Sequence, residues 1–168
     1  MMGTLFAIAH IQVLPGGSFP LLQDFTRTNL GGGKSVFSIF APRNFEIQPF
    51  REVIVNLGLR MLIDVPRSCF FGIPKRMREF GSLLEVSPHV AGQDVRFIYN
   101  LAVVVRNKSQ HTQWVYTDDP ILELTIYTRK TETPLRPASH IECGWNINGW
   151  GHTLPEPYVS GQMFLPFF

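Results

Sequence analysis

Apolar residues in this chain come in short runs, several of them alternating with polar ones, and most runs end at proline or glycine. Ser35-Val36-Phe37-Ser38-Ile39-Phe40 alternates and is halted by Pro42. A two-residue period is what a strand with one buried face needs, because successive side chains point to opposite sides. On the same grounds, and on their content of β-branched and aromatic residues, strands are predicted at 4–9, 45–47, 53–57, 59–63, 70–73, 95–105, 113–116 and 121–127. Pro15-Gly16-Gly17, Gly31-Gly32-Gly33, Pro66 and Arg106-Asn107-Lys108-Ser109 separate them as turns. No segment keeps a 3.6-residue period over several turns, and 76–86 is the best place for a short helix or an irregular loop. Many short strands between close turn signals predict an all-β sandwich or barrel. Past Thr131 the chain changes: Pro134, Pro137, Pro155, Pro157 and Pro166 stand among Gly144, Gly149 and Gly151. The expectation is one domain, with 1–131 as the body and 132–168 as an arm over its own surface or a neighbour's.

Composition narrows this picture. With 168 residues, 45% of them hydrophobic, the chain is long enough for one domain with a real core. Charged residues are sparse, at 17%. Such a surface is hard to keep soluble alone and predicts a large apolar interface between copies. The net charge of +2 points to no polyanionic partner. The nearest thing to a basic stripe, Lys75-Arg76-Met77-Arg78, reads most simply as a solvated loop, so no nucleic acid is expected. Cys69 and Cys143 form no CxxC and fit no zinc spacing, and two cysteines suit a reducing compartment. Met1 to Gly16 lacks a basic n-region and is not read as a signal peptide, and no apolar run is long enough for a membrane helix. Gly31-Gly32-Gly33-Lys34-Ser35 looks superficially like a phosphate loop, but Thr28 occupies the first glycine position and no helix pattern follows.

Several segments resemble the deoxyuridine triphosphatase (dUTPase) superfamily. Phe45-Glu46-Ile47-Gln48-Pro49, Val53-Ile54-Val55 and Pro66 to Gly72 are similar to the family's core strands and the turn before its phosphate-binding segment. Leu101 to Asn107 resembles its central strand, which also ends in Asn, and Asp119 to Ile126 resembles its fourth motif. Thr4 to Ala7, Pro15-Gly16-Gly17 and Phe40 to Ile47 resemble the adenovirus early-region-four branch of that superfamily. The resemblance implies a distorted jelly-roll β-barrel with a C-terminal arm, assembled as a homotrimer. Its enzymes split dUTP into dUMP and pyrophosphate with Mg²⁺, whereas the viral branch is non-enzymatic and engages host PDZ-type scaffold proteins.

Carried over position by position, the resemblance puts Asp94 at the water-activating carboxylate and Phe97 at the ring under the deoxyribose. Arg76 stands in the phosphate-binding segment, where Met77 replaces a hydroxyl donor and Arg78 a glycine. Ser38 replaces the acid that organises the metal shell, and Glu123 the amide that positions water. A hydroxyl is a poorer Mg²⁺ partner than a carboxylate, and an added carboxylate repels a triphosphate. In the arm, Gly149-Trp150-Gly151-His152-Thr153 matches the loop that caps the base and wraps the γ-phosphate, with Trp150 as cap and Gly149, Gly151 and Thr153 beside it, while Trp145 replaces an arginine. Phe168 is the residue implied for a partner groove, although Pro166, without an N–H, stands where the relatives carry Ser or Thr.

The expected function is therefore a viral dUTPase-like interaction protein that has lost catalysis. It is expected in the host-cell cytoplasm, with the nucleus as an alternative, and without a metal or cofactor. The alternatives are an active dUTP diphosphatase, in which case Mg²⁺ would be required, and a sensor that binds dUTP without cleaving it.

Overall fold

Strand-forming sequence dominates the folded chain, and its order follows from where the apolar runs fall. The computed structural model describes residues 6–29, 31–79, 83–89, 91–93, 98–141, 158–159 and 163–164. In chain order the strands are β1 (Ala7–Val13), β2 (Leu21–Arg27), β3 (Gly33–Phe40), β4 (Phe45–Ile47), β5 (Arg51–Ile63), β6 (Cys69–Gly72), β7 (Leu84–Pro88), β8 (Ala91–Gln93), β9 (Ile98–Asn107), β10 (Gln113–Val115), β11 (Pro120–Thr128), β12 (Thr133–Pro137), β13 (Tyr158–Val159) and β14 (Met163–Phe164). Among the described residues, helix is confined to a 3-10 turn at Pro66–Ser68 and to α1 (Lys75–Glu79). The protein is all-β, as its periodicity predicts.

The larger sheet runs β12-β1-β5-β9-β7. β1 covers one side of β5 from Leu59 to Ile63, β13 and β14 pair with the start of β5, and β8 continues the β7 side of β9. The smaller sheet runs β2-β3-β11-β6, and β4 and β10 form a two-stranded ribbon. Alternation sends Val53, Val55 and Met61 of β5, Leu101, Val103 and Val105 of β9, and Phe37, Ile39, Leu122, Leu124 and Ile126 of the smaller sheet into one core with Phe45, Ile47 and Val115 of the ribbon. Burying each such aliphatic side chain contributes about 1.5–3 kcal/mol.

The two runs predicted at 53–57 and 59–63 are one thirteen-residue strand. Gly58 takes φ 71°, which glycine adopts freely, and the register to β9 shifts between Asn56 and Arg60. Asn56 Oδ1 accepts the Gly58 N–H at 2.9 Å, and the Gly58 carbonyl accepts the Leu14 N–H at 2.9 Å. A Cβ on Gly17 would stand 2.5 Å from that carbonyl oxygen, so the 14–17 turn seats on the kink only because Gly17 has no side chain. The segment predicted as helix or loop at 76–86 begins inside α1 and ends in strand β7. Two strands escape the periodicity argument: β2, exposed along its whole length, and β12, which pairs parallel with β1 inside the stretch read as an arm.

One buried polar side chain ties the ribbon to the larger sheet. Asn107, fully buried at the end of β9, donates through Nδ2 to the carbonyls of Ile47 at 2.9 Å, Gln48 at 3.2 Å and His111 at 2.7 Å. Its Oδ1 accepts the Ser109 N–H at 2.9 Å and the Ser109 hydroxyl at 2.7 Å. No apolar residue could satisfy these groups away from water. Asn107→Ala should lower the unfolding free energy in urea by about 2–4 kcal/mol, because it orphans several buried groups together. A loss below about 0.5 kcal/mol, the size of an ordinary surface change, would contradict that role.

Candidate functional site

Of the residues that the resemblance gathers into a site, those that the structure describes lie on β3, α1 and β11, with β6 beside them. Pairing of β3 with β11 sets Ser38 directly opposite Glu123, and pairing of β11 with β6 sets Glu123 opposite Gly72. Directly opposite residues share a sheet face. That face points away from the core, because the alternate positions Leu122 and Leu124 are fully buried on the inner side. β6 then runs through Ile73 and Pro74 into α1, whose Arg78 N–H bonds the Pro74 carbonyl at 3.1 Å. The result is a surface cleft of about 420 Å³, lined by Gly72, Ile73, Met77, Arg78, Glu85 and Glu123 among others.

Glu123 and Ser38 thus come together as neighbours, and the segment carrying Arg76 reaches the same cleft. The backbone of Arg76 belongs to α1 and its side chain is not described. Asp94, Phe97, Gly149, Trp150, Gly151, Thr153 and Phe168 lie outside the described residues. Met77 is buried against Leu84 and Val86 of β7 as part of the core, so it anchors α1 and offers no hydrogen bond to a phosphate. Arg78 is exposed at the rim.

Three charged residues of the region follow from register and not from any motif. Glu52 of β5, Arg106 of β9 and Glu85 of β7 form a cross-strand row. Arg106 donates through Nε to Glu52 at 2.8 Å and through Nη1 to Glu85 at 3.4 Å and to the Ser87 hydroxyl at 3.3 Å. The Lys108 ammonium pairs with the other Glu85 oxygen. A hydrogen bond from Lys108 holds the Glu85 carboxyl below the usual glutamate range, with the charges of Lys108 and Arg106 adding to it against a smaller desolvation effect. Glu85 is therefore a neutralised wall of the cleft rather than a free ligand. On β6, burial pushes the Cys69 thiol up to about 12, so it is protonated at neutral pH and no nucleophile.

The Mg²⁺ implied by the enzymatic branch would meet one uncompensated carboxylate in the described part of the cleft. Glu123 is one carboxylate, Glu85 is engaged by two cations, and the buried Ser38 is not part of the lining. Among the described residues no group of three or more His, Cys, Asp or Glu side chains converges on a point that could hold a metal ion. Octahedral Mg²⁺ is usually held through one or two carboxylates together with substrate phosphates, and among these described residues Glu123 alone would hold it.

The Glu85–Lys108 pair makes a signed prediction. A carboxyl depressed in the folded state adds stability above its unfolded value and loses it as pH falls through the folded value. Lys108→Met should therefore be less stable than the parent at neutral pH, and the gap should close between about pH 5 and about pH 3 as glutamates protonate. Urea unfolding across that range checks it, and a gap independent of pH would contradict the assignment. No protein-family model matches the chain, and no curated protein matches it in sequence, so the reading of this cleft rests on its geometry and chemistry.

Proposed function

We propose that the protein is a dUTPase-like interaction protein of the adenovirus early-region-four type that no longer hydrolyses dUTP. In this reading the two sheets are the halves of a distorted jelly-roll barrel, 132–168 is its arm, and three copies form the working unit. The observation that carries the proposal is the pairing of a buried Ser38 with Glu123 beside Gly72, where Glu123 and Gly72 line a cleft floored by Met77. Segments far apart in sequence, each assigned by resemblance to one nucleotide site, are neighbours on one sheet face. The chemistry they bring is wrong for catalysis: a hydroxyl for an acid, a carboxylate for an amide, a buried thioether for a hydroxyl.

Loss of a single preorganised donor costs on the order of 10²–10³ in rate. The losses here are not additive, yet each acts on the same transition state, and Glu123 adds repulsion toward a triphosphate. Assembly draws support from the edge of the smaller sheet. Phe19, Leu21, Leu22 and Phe25 lie on or just before β2 and are 39–55% exposed, an apolar strip suited to a second copy or another protein.

The purified chain incubated with dUTP and Mg²⁺ should release no pyrophosphate above the uncatalysed background, and sedimentation should give a trimer. Robust turnover in the parent would overturn the loss of catalysis. A monomer at every concentration tested would overturn the assembly.

A further inference from the structure

The outer face of the smaller sheet carries a second depression, toward the Thr128 end of β11. It encloses about 480 Å³ and is lined by Lys34, Arg67, Phe70, Thr125 and Tyr127. Register explains the grouping: Lys34 of β3 lies opposite Tyr127 of β11, and Thr125 lies opposite Phe70 of β6. Arg67 enters from the 3-10 turn that leads into β6. The site is about 13 Å along β11 from Glu123, roughly four strand residues away.

Two features of this depression are unusual for a bare surface. The Phe70 and Tyr127 rings meet edge to face, centroids 5.7 Å apart and planes at 82°, yet the two residues remain 51% and 43% exposed. Lys34 and Arg67 flank them, both exposed, and neither forms an ion pair with a carboxylate among the described residues. Arg129 and Lys130 follow directly after β11, and the Lys130 side chain lies within 4 Å of where a Gly31 Cβ would be, so further positive charge borders the same end of the sheet. The acid of that turn, Glu132, accepts the Arg129 backbone N–H at 2.6 Å.

An acidic protein segment would use the cations and leave the rings wet, and so would a sulfated polysaccharide. A ligand that answers both features has a flat π-face and a phosphate a few ångströms apart. We propose that this depression binds a nucleoside phosphate, the base stacking on Phe70 with Tyr127 bracing that ring edge to face, the phosphate lying between Lys34 and Arg67, and Thr125 offering its hydroxyl to the sugar or base edge. The nucleotide is either free or a unit of a single strand. The proposal does not depend on the reading of the Glu123 cleft.

Fluorescence anisotropy of the full chain with a labelled deoxythymidine decamer tests it, with dTMP, inorganic phosphate and an abasic decamer as competitors. The decamer should bind at low salt. Lys34→Ala combined with Arg67→Ala should weaken it at least tenfold and reduce the slope of log K against log salt by about 0.7, the share of the one single-strand phosphate no longer neutralised. Phe70→Ala should weaken it roughly tenfold with the slope unchanged, the size of one base stack, and Phe70→Tyr should restore it. All three positions are exposed, so circular dichroism should match the parent. Competition by dTMP at concentrations comparable to the decamer identifies a free nucleotide; competition by oligomer alone identifies a nucleic acid strand. No binding at low salt, an abasic decamer as good as the thymidine one, phosphate competing as well as dTMP, or a neutral Phe70→Ala would each overturn the proposal.

Discussion

The alternation of side chains along β11 is the constraint on which the rest of the molecule depends. Leu122, Leu124 and Ile126 point inward and are fully buried, so the smaller sheet closes the core through them. Glu123, Thr125 and Tyr127 are thereby forced outward, and they are the residues that reach the two concave surfaces of that sheet. A shift of one residue in the pairing would exchange the sets, burying a carboxylate and exposing three aliphatic side chains. The β11–β3 and β11–β6 registers are fixed by that penalty more firmly than by any outward-facing interaction. What the protein presents to a ligand is the by-product of a packing decision.

The two surfaces differ in what the outward set supplies. At one end stand a carboxylate, an arginine and a glycine, over a floor of core methionine, with a second carboxylate already neutralised by Arg106 and Lys108. At the other stand two rings, a hydroxyl and two cations. Both hold cations, Arg78 at the first and Lys34 and Arg67 at the second, but only the first also holds carboxylates. The chemistry at the cleft can change while the fold is kept, because the fold is held mainly by the inward residues.

The fold class is legible in the sequence wherever one face of a strand is buried. Residues 35–40, 45–47 and 121–127 alternate visibly, and the strands lie there. β2 is illegible because both its faces meet solvent, so Leu21-Leu22-Gln23-Asp24 has no period to reveal. β12 is hidden by Pro134 and Pro137, which an outer strand of the sheet tolerates. The kink at Gly58 reads as a break between two strands because glycine marks turns and bulges alike. Of the candidate site, the Ser38–Glu123 adjacency follows from the motifs, whereas the Glu52–Arg106–Glu85 row and the Lys34–Arg67 cluster do not. Both are assembled by register from distant segments, and no run of like charge announces them.

The division of labour between the two surfaces can be tested directly by an amide chemical-shift map of the isotopically labelled protein, titrated with a non-hydrolysable dUTP analogue with and without Mg²⁺. Shifts are expected at Lys34, Phe70, Thr125 and Tyr127 that are insensitive to the metal, and none at Ser38, Gly72 or Glu123. Magnesium-dependent shifts centred on Ser38 and Glu123 would contradict this division, because they would mean that the cleft still gathers a metal-bound triphosphate with the groups it has.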